Sequence, residues 1–131
     1  MRKEFEIPSD TQNLRIVEKA IDDLSLELDL SDEVYGNVLV ATMEATNNAI
    51  IHGNKCDPNK NVKIHINKDS GVLLVRIVNQ GEGFDYQSVP DPTAPENIEK
   101  INGRGIFLME RLSDGLIFHD EGRTVELKFR V

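Results

Sequence analysis

Between residues 62 and 78 the chain spells out two strands and the turn that joins them, and this pattern limits the fold more than any other feature. Val62, Ile64 and Ile66 alternate with Lys63, His65 and Asn67, Lys68-Asp69-Ser70-Gly71 supplies a turn, and Val72 to Val78 is a nearly continuous apolar run. An alternating strand keeps one face wet, whereas a continuously apolar one is covered on both faces, so the spacing predicts a hairpin feeding a buried central strand. Such a sheet needs a second layer.

That layer is written upstream. Phe5 and Ile7 alternate with Glu4 and Glu6 up to Pro8, which reads as a short first strand on a sheet edge. Ser9 with Gln12 offers a capping box, and Leu14, Val17, Ala20, Ile21, Leu24 and Leu28 recur at helical steps, predicting a helix to about Leu28. Ser31, followed by Asp32 and Glu33, starts a second helix, carried by Val34, Val38, Ala41, Met43, Ala45, Ala49 and Ile50 toward Gly53, read as a left-handed stop. Further on, Ile106, Met109 and Leu112 suggest a helix opened by Gly103-Arg104-Gly105. Leu116 to His119 and Thr124 to Val131 make a last hairpin around Asp120-Glu121-Gly122. The order β α α β β loop α β β argues for an α+β two-layer sandwich, with helices on one face of a mostly antiparallel sheet.

With 131 residues the chain is read as one domain spanning 1–131. The 15 Lys and Arg against 23 Asp and Glu leave a formal charge of 15 − 23 = −8, and no basic run appears, so direct nucleic-acid binding is not expected. The charged start, Met1-Arg2-Lys3-Glu4-Phe5-Glu6, lacks the apolar core of a secretory signal, and no apolar run approaches a membrane span. The expectation is a cytoplasmic protein with no membrane contact. Cys56 is the only cysteine, which excludes an intrachain disulfide and a cysteine-based metal cluster.

Three polar clusters interrupt this scaffold. Glu44 and Asn48 stand four apart on the second helix, hence on one face. They read either as a solvated face or as a pair in which Asn48 gives an oxygen to Mg²⁺ and Glu44 orients or deprotonates a hydroxyl. His52 reads most simply as a group that caps carbonyls and complements the helix dipole. The second cluster, Asn79-Gln80-Gly81-Glu82-Gly83, leaves the central strand with two glycines that let a flat ligand or phosphate approach the main chain. In the third, Gly103-Arg104-Gly105 enters a helix, where amide donors and the dipole could receive an anion. Between the last two lies a long polar stretch, about residues 80–102, punctuated by Pro90, Pro92 and Pro95 and read as a functional lid that is mobile without ligand.

Together, and in this order, the clusters resemble the nucleotide pocket of the Bergerat-fold ATPases, the superfamily of gyrase B, MutL and the histidine kinases. Glu44-Ala45-Thr46-Asn47-Asn48-Ala49-Ile50-Ile51-His52-Gly53 and Gly103-Arg104-Gly105-Ile106-Phe107-Leu108-Met109 look most like the small single-domain anti-sigma factors that are also serine/threonine protein kinases. The resemblance covers nearly the whole chain, from about Glu4 to Val131. It implies an ATP·Mg²⁺ site with Asn48 as the metal ligand and Glu44 as the residue that activates a partner's serine hydroxyl. Gly81 and Gly83 would border the adenine, and Gly103 and Gly105, with Arg104 adding charge, the phosphates. It also implies two protein partners, a sigma factor and an anti-anti-sigma antagonist that is phosphorylated, and a homodimeric state.

The chain departs from the family pattern at Asn79, where the family usually has an aspartate that accepts a hydrogen bond from the adenine amino group. An amide has one acceptor oxygen instead of two and no charge. The residues therefore leave two readings open: a kinase that retains ATP, or a partner-switching module of the same fold that works without turnover.

Overall fold

The computed structural model describes residues 1–81 and 101–131, and for residues 101–104 the backbone alone. Gly83, the proline-punctuated stretch and the Arg104 side chain therefore lie outside the described residues, and with them the lid reading.

Five strands form a single antiparallel sheet: β1 (Arg2–Pro8), β2 (Asn61–Asp69), β3 (Val72–Asn79), β4 (Gly115–His119) and β5 (Thr124–Arg130), ordered β1-β2-β3-β5-β4. β1 is an edge strand and β3 the central one, as the residue pattern requires. Register sets the faces, because side chains alternate along each strand. Phe5, Ile64, Ile77, Val125 and Phe118 form one cross-strand row, and Ile66, Val75, Leu127 and Leu116 the next. This apolar face joins one core with Val17, Ile21 and Leu24 of α1 (Leu14–Leu28), Val38, Ala41 and Ala45 of α2 (Asp32–Asn48) and Ile106 and Met109 of α3 (Ile101–Leu112). The continuous run in β3 is half-covered after all: Val72 is exposed, and Leu74 and Val78 are partly so.

The opposite face carries charge. Glu4, His65, Arg76 and Glu126 are successive partners across β1, β2, β3 and β5. His65 Nδ1 lies 3.1 Å from Glu4, Arg76 Nε donates to Glu126 at 3.2 Å, and His119 Nε2 lies 3.3 Å from Glu126. Opposite charges directly across strands stabilise pairing and keep this face wet. Both chain ends meet the β2–β3 turn, where Lys68 N–H donates to Met1 O at 3.0 Å and Val131 N–H to Gly71 O at 2.9 Å.

Three local expectations are corrected. The cap near α1 is Asp10, which accepts from Gln12 N–H at 2.9 Å, while Ser9 is buried and donates to Lys60 O at 2.6 Å. A serine that follows an edge strand can anchor to the neighbouring strand's entry, and here that partner wins over the helix. Gly53 is no left-handed stop: α2 passes into a π-helical turn (Ala49–Gly53), closed by Asn54 N–H donating to Ala49 O at 2.8 Å, and the left-handed residues are Lys55 and Cys56. α3 spans Ile101–Leu112, so its glycine cluster lies inside the helix, Gly103 in the first turn and Gly105 just past it, and not ahead of it. Ser31 does cap α2, accepting from Val34 N–H at 3.2 Å, with Asp32 and Glu33 in the first turn.

The Arg76 guanidinium beside Glu126 holds its carboxyl below the ordinary 4.5, with His119 adding to the effect and burial opposing it. A depressed carboxylate gives stability that is complete above the unfolded value and lost as pH falls through the folded one. Glu126→Gln is expected to cost about 1 kcal/mol at pH 7 and almost nothing at pH 2, as read by thermal unfolding across that range.

Candidate functional site

Strand parity fixes the first part of the site. In β3 the core face carries Leu73, Val75 and Ile77, and the next residue on it is Asn79, which is therefore buried (4% exposed) beside Val62. The residue above it is Gly53, and its identity follows from contact, not from backbone conformation. A Cβ on Gly53 would lie 2.3 Å from Asn79 Nδ2 and 3.0 Å from Oδ1, so only a bare Cα lets the amide lie flat against the end of α2. Gly81 is bare for the same kind of reason, since its Cβ would stand 2.3 Å from Gly53 O.

Asn54 holds these pieces in register. It is fully buried, and its Nδ2 donates to Ser9 Oγ at 2.7 Å and Asn61 O at 3.0 Å while its Oδ1 accepts from Gly81 N–H at 2.6 Å. One side chain thus ties the end of α2, the entry of β2 and the glycine that follows β3. Next to it, Asn61 N–H donates to Gln80 Oε1 at 2.7 Å. The sequence reading missed Asn54, and the only local signal was its place directly after the helix-ending glycine.

The second part of the site lies one turn back on α2. Asn48 is 2% exposed, which removes the solvated-face reading for it, and Glu44 beside it is half-buried. α3 closes on this pair through Gly105, where a Cβ would lie 3.0 Å from Glu44 Oε2 and 3.3 Å from Asn48 Nδ2. Residues 57 or more positions apart in sequence thus meet at van der Waals contact because one of them has no side chain. Gly103 lies in the first turn of the same helix.

Buried polar atoms normally find partners. Three among the described residues do not: Thr42 Oγ1, Asn48 Nδ2 and Asn79 Oδ1. Two of the three belong to residues that the sequence had singled out, and both sit against a glycine whose missing side chain lets another element pack on them. The unpartnered end of Asn48 is the donor Nδ2, and a hard divalent ion takes oxygen, so it is the Asn48 Oδ1, beside the Glu44 carboxylate, that would serve an ion taking most of its other oxygens from water and phosphate. Among the described residues no group of three or more His, Cys, Asp and Glu gathers, so protein side chains there could give such an ion only part of its shell. His52 lies in the last turn of the π-helical segment, where burial, and less strongly the Lys55 charge, push its imidazole below the ordinary 6.5.

The histidine kinase-like ATPase domain matches residues 7–129. The chain belongs to this family. It is 29% identical over 130 residues to the anti-sigma F factor of Clostridium botulinum (strain Eklund 17B / Type B), covering 95% of this chain and 90% of that protein. It is 34% identical over 109 residues to the anti-sigma F factor of Geobacillus stearothermophilus, covering 78% and 73%. It is 24% identical over 131 residues to the serine-protein kinase RsbW of Bacillus subtilis (strain 168), covering 95% and 82%. The solved structure of the RsbU and RsbW domains of Rv1364c from Mycobacterium tuberculosis superposes with a TM-score of 0.73 at 13% identity. It matches 99% of this chain, which spans 32% of that one, and so supports the α+β architecture. No helix among the described residues is long and apolar enough to cross a membrane.

Two substitutions separate the site from the scaffold. Gly105→Ala suits a helix better by about 1 kcal/mol, so the melting temperature is expected to hold or rise, while the displaced Glu44 carboxylate lowers any activity of the site at least about tenfold. Asn54→Ala leaves the Gly81 N–H and Asn61 carbonyl without their partner, and is expected to cost about 2 kcal/mol in chemical denaturation.

Proposed function

We propose that this chain is an ATP-dependent anti-sigma factor and a serine/threonine protein kinase. It holds a sigma factor by protein contact, and it transfers the γ-phosphoryl group of ATP to a serine or threonine hydroxyl of an anti-anti-sigma antagonist. The observation that carries the reading is the approach of Gly105 to Glu44 and Asn48, because that bare Cα lets the N-terminal part of α3, with its backbone amides, close directly on a carboxylate and an amide.

In this reading Asn79 faces the base, with Gly81 bordering it, and Glu44 accepts the proton of the attacking hydroxyl as its oxygen bonds to phosphorus. The bond to the β-phosphate oxygen breaks, and ADP carries away the leaving electron pair. Asn48 would hold Mg²⁺, which when bound neutralises charge on the phosphates. Amides of α3 around Gly103 and Gly105 would meet the same charge, to which Arg104 would add, and Gly83 would border the base with Gly81. Phosphoryl transfer asks mainly for positioning and charge compensation, which this arrangement supplies.

The test is intact-mass spectrometry of candidate antagonist domains after incubation with magnesium ATP. Wild type is expected to add one phosphoryl group. Glu44→Gln should slow that step about 10²- to 10⁴-fold while nucleotide affinity, read by calorimetry, changes little. Asn79 favours one second reading, a non-catalytic partner-switching module of the same fold with weak or no ATP binding; calorimetry that finds no binding of ATP or ADP would select it, and tight binding would rule it out.

A further inference from the structure

The amide of Asn79 differs from a carboxylate in one chemical respect that the fold leaves unconstrained. A carboxylate only accepts, whereas an amide accepts at Oδ1 and donates at Nδ2. Which of the two ends faces a ligand is ordinarily fixed by a protein partner. Here Oδ1 is buried without one among the described residues, and the contact that holds the group is the flat face of Gly53. Packing against a bare Cα does not distinguish oxygen from nitrogen, and no hydrogen bond among the described residues fixes which end of the amide a ligand meets. The residue itself is 4% exposed.

Resting on the assignment of this slot to the base in the proposed function, we infer that Asn79 makes the site tolerant of 6-oxopurine nucleoside triphosphates as well as ATP. A 6-aminopurine offers a donor at position 6 and an acceptor at N1, and a 6-oxopurine offers an acceptor at position 6 and a donor at N1. These are mirror patterns. One orientation of the amide matches the first and the flipped orientation matches the second, whereas a carboxylate has no donor for a 6-oxo group. A site whose buried polar group is left unpaired by the wrong ligand discriminates strongly, and a site that can pair with either does not. The slot is thereby a selectivity element set by one atom of residue 79.

Calorimetric titration of the full chain with magnesium complexes of ATP, inosine triphosphate and purine riboside triphosphate, which lacks any group at position 6, tests this. Wild type is expected to bind ATP and inosine triphosphate within about tenfold of each other, and the unsubstituted purine more weakly than both. Asn79→Asp is expected to widen the preference for ATP over inosine triphosphate by at least about tenfold. Rejection of inosine triphosphate by wild type that binds ATP overturns this inference alone, as does an unchanged preference in a folded Asn79→Asp protein. Equal binding of the unsubstituted purine overturns it without reference to any variant. Failure of all three nucleotides to bind wild type overturns the nucleotide site and this inference together.

Discussion

A single buried amide, Asn54, holds the end of α2 to the sheet, and the shape of the site depends on it. α2 could not finish as an ordinary helix here, because its last turn must expose Gly53 to Asn79 while sending the chain back toward β2. The π-helical turn from Ala49 to Gly53 widens the helix by one residue, and Asn54 then uses both ends of its side chain on three separate segments. Each of those bonds is short-range, yet their partners are 45, 7 and 27 residues away in sequence. A polar group buried this completely is stabilising only when fully paired, so the junction has little freedom to drift.

That rigidity contrasts with the two amides that the proposed function gives to a ligand. Asn48 and Asn79 are as buried as Asn54 but keep an unpartnered atom each. The three asparagines thus divide by whether the protein satisfies them. Around the two with an unpartnered atom, Gly53, Gly81 and Gly105 let backbone pack directly on polar groups, with no room for a Cβ between. The close approach of these segments is therefore subtractive: it exists where Cβ atoms are missing, on elements that the apolar core holds in place.

Much of this was legible beforehand. The period-two pattern of β2 set which of its residues share a face, whereas the continuous apolar run of β3 hid that Leu73, Val75 and Ile77 alone, with Asn79 after them, lie on the core side. Glu44 and Asn48 were recognisable as a pair because helical spacing puts them on one face. Gly53 was recognised as important but for the wrong cause, since a glycine demanded by a tertiary contact looks the same in sequence as one demanded by a left-handed turn. Ser9 was misread because both a helix cap and a strand anchor use the same hydroxyl. Asn54 was missed altogether, as nothing local reports on partners so distant along the chain.

The two ends of the polypeptide converge on the β2–β3 turn, whereas Asn79 closes the far end of β3. Eight residues of extended strand separate them, a span of roughly 26 Å. Whatever is joined at either end, whether an affinity handle, a fluorophore or a neighbouring domain, projects away from that far end. A sensor of ligand occupancy built by fusing two reporters to these adjacent ends would therefore read poorly, while an immobilised form tethered there would leave the Asn79 end of the sheet clear of its support.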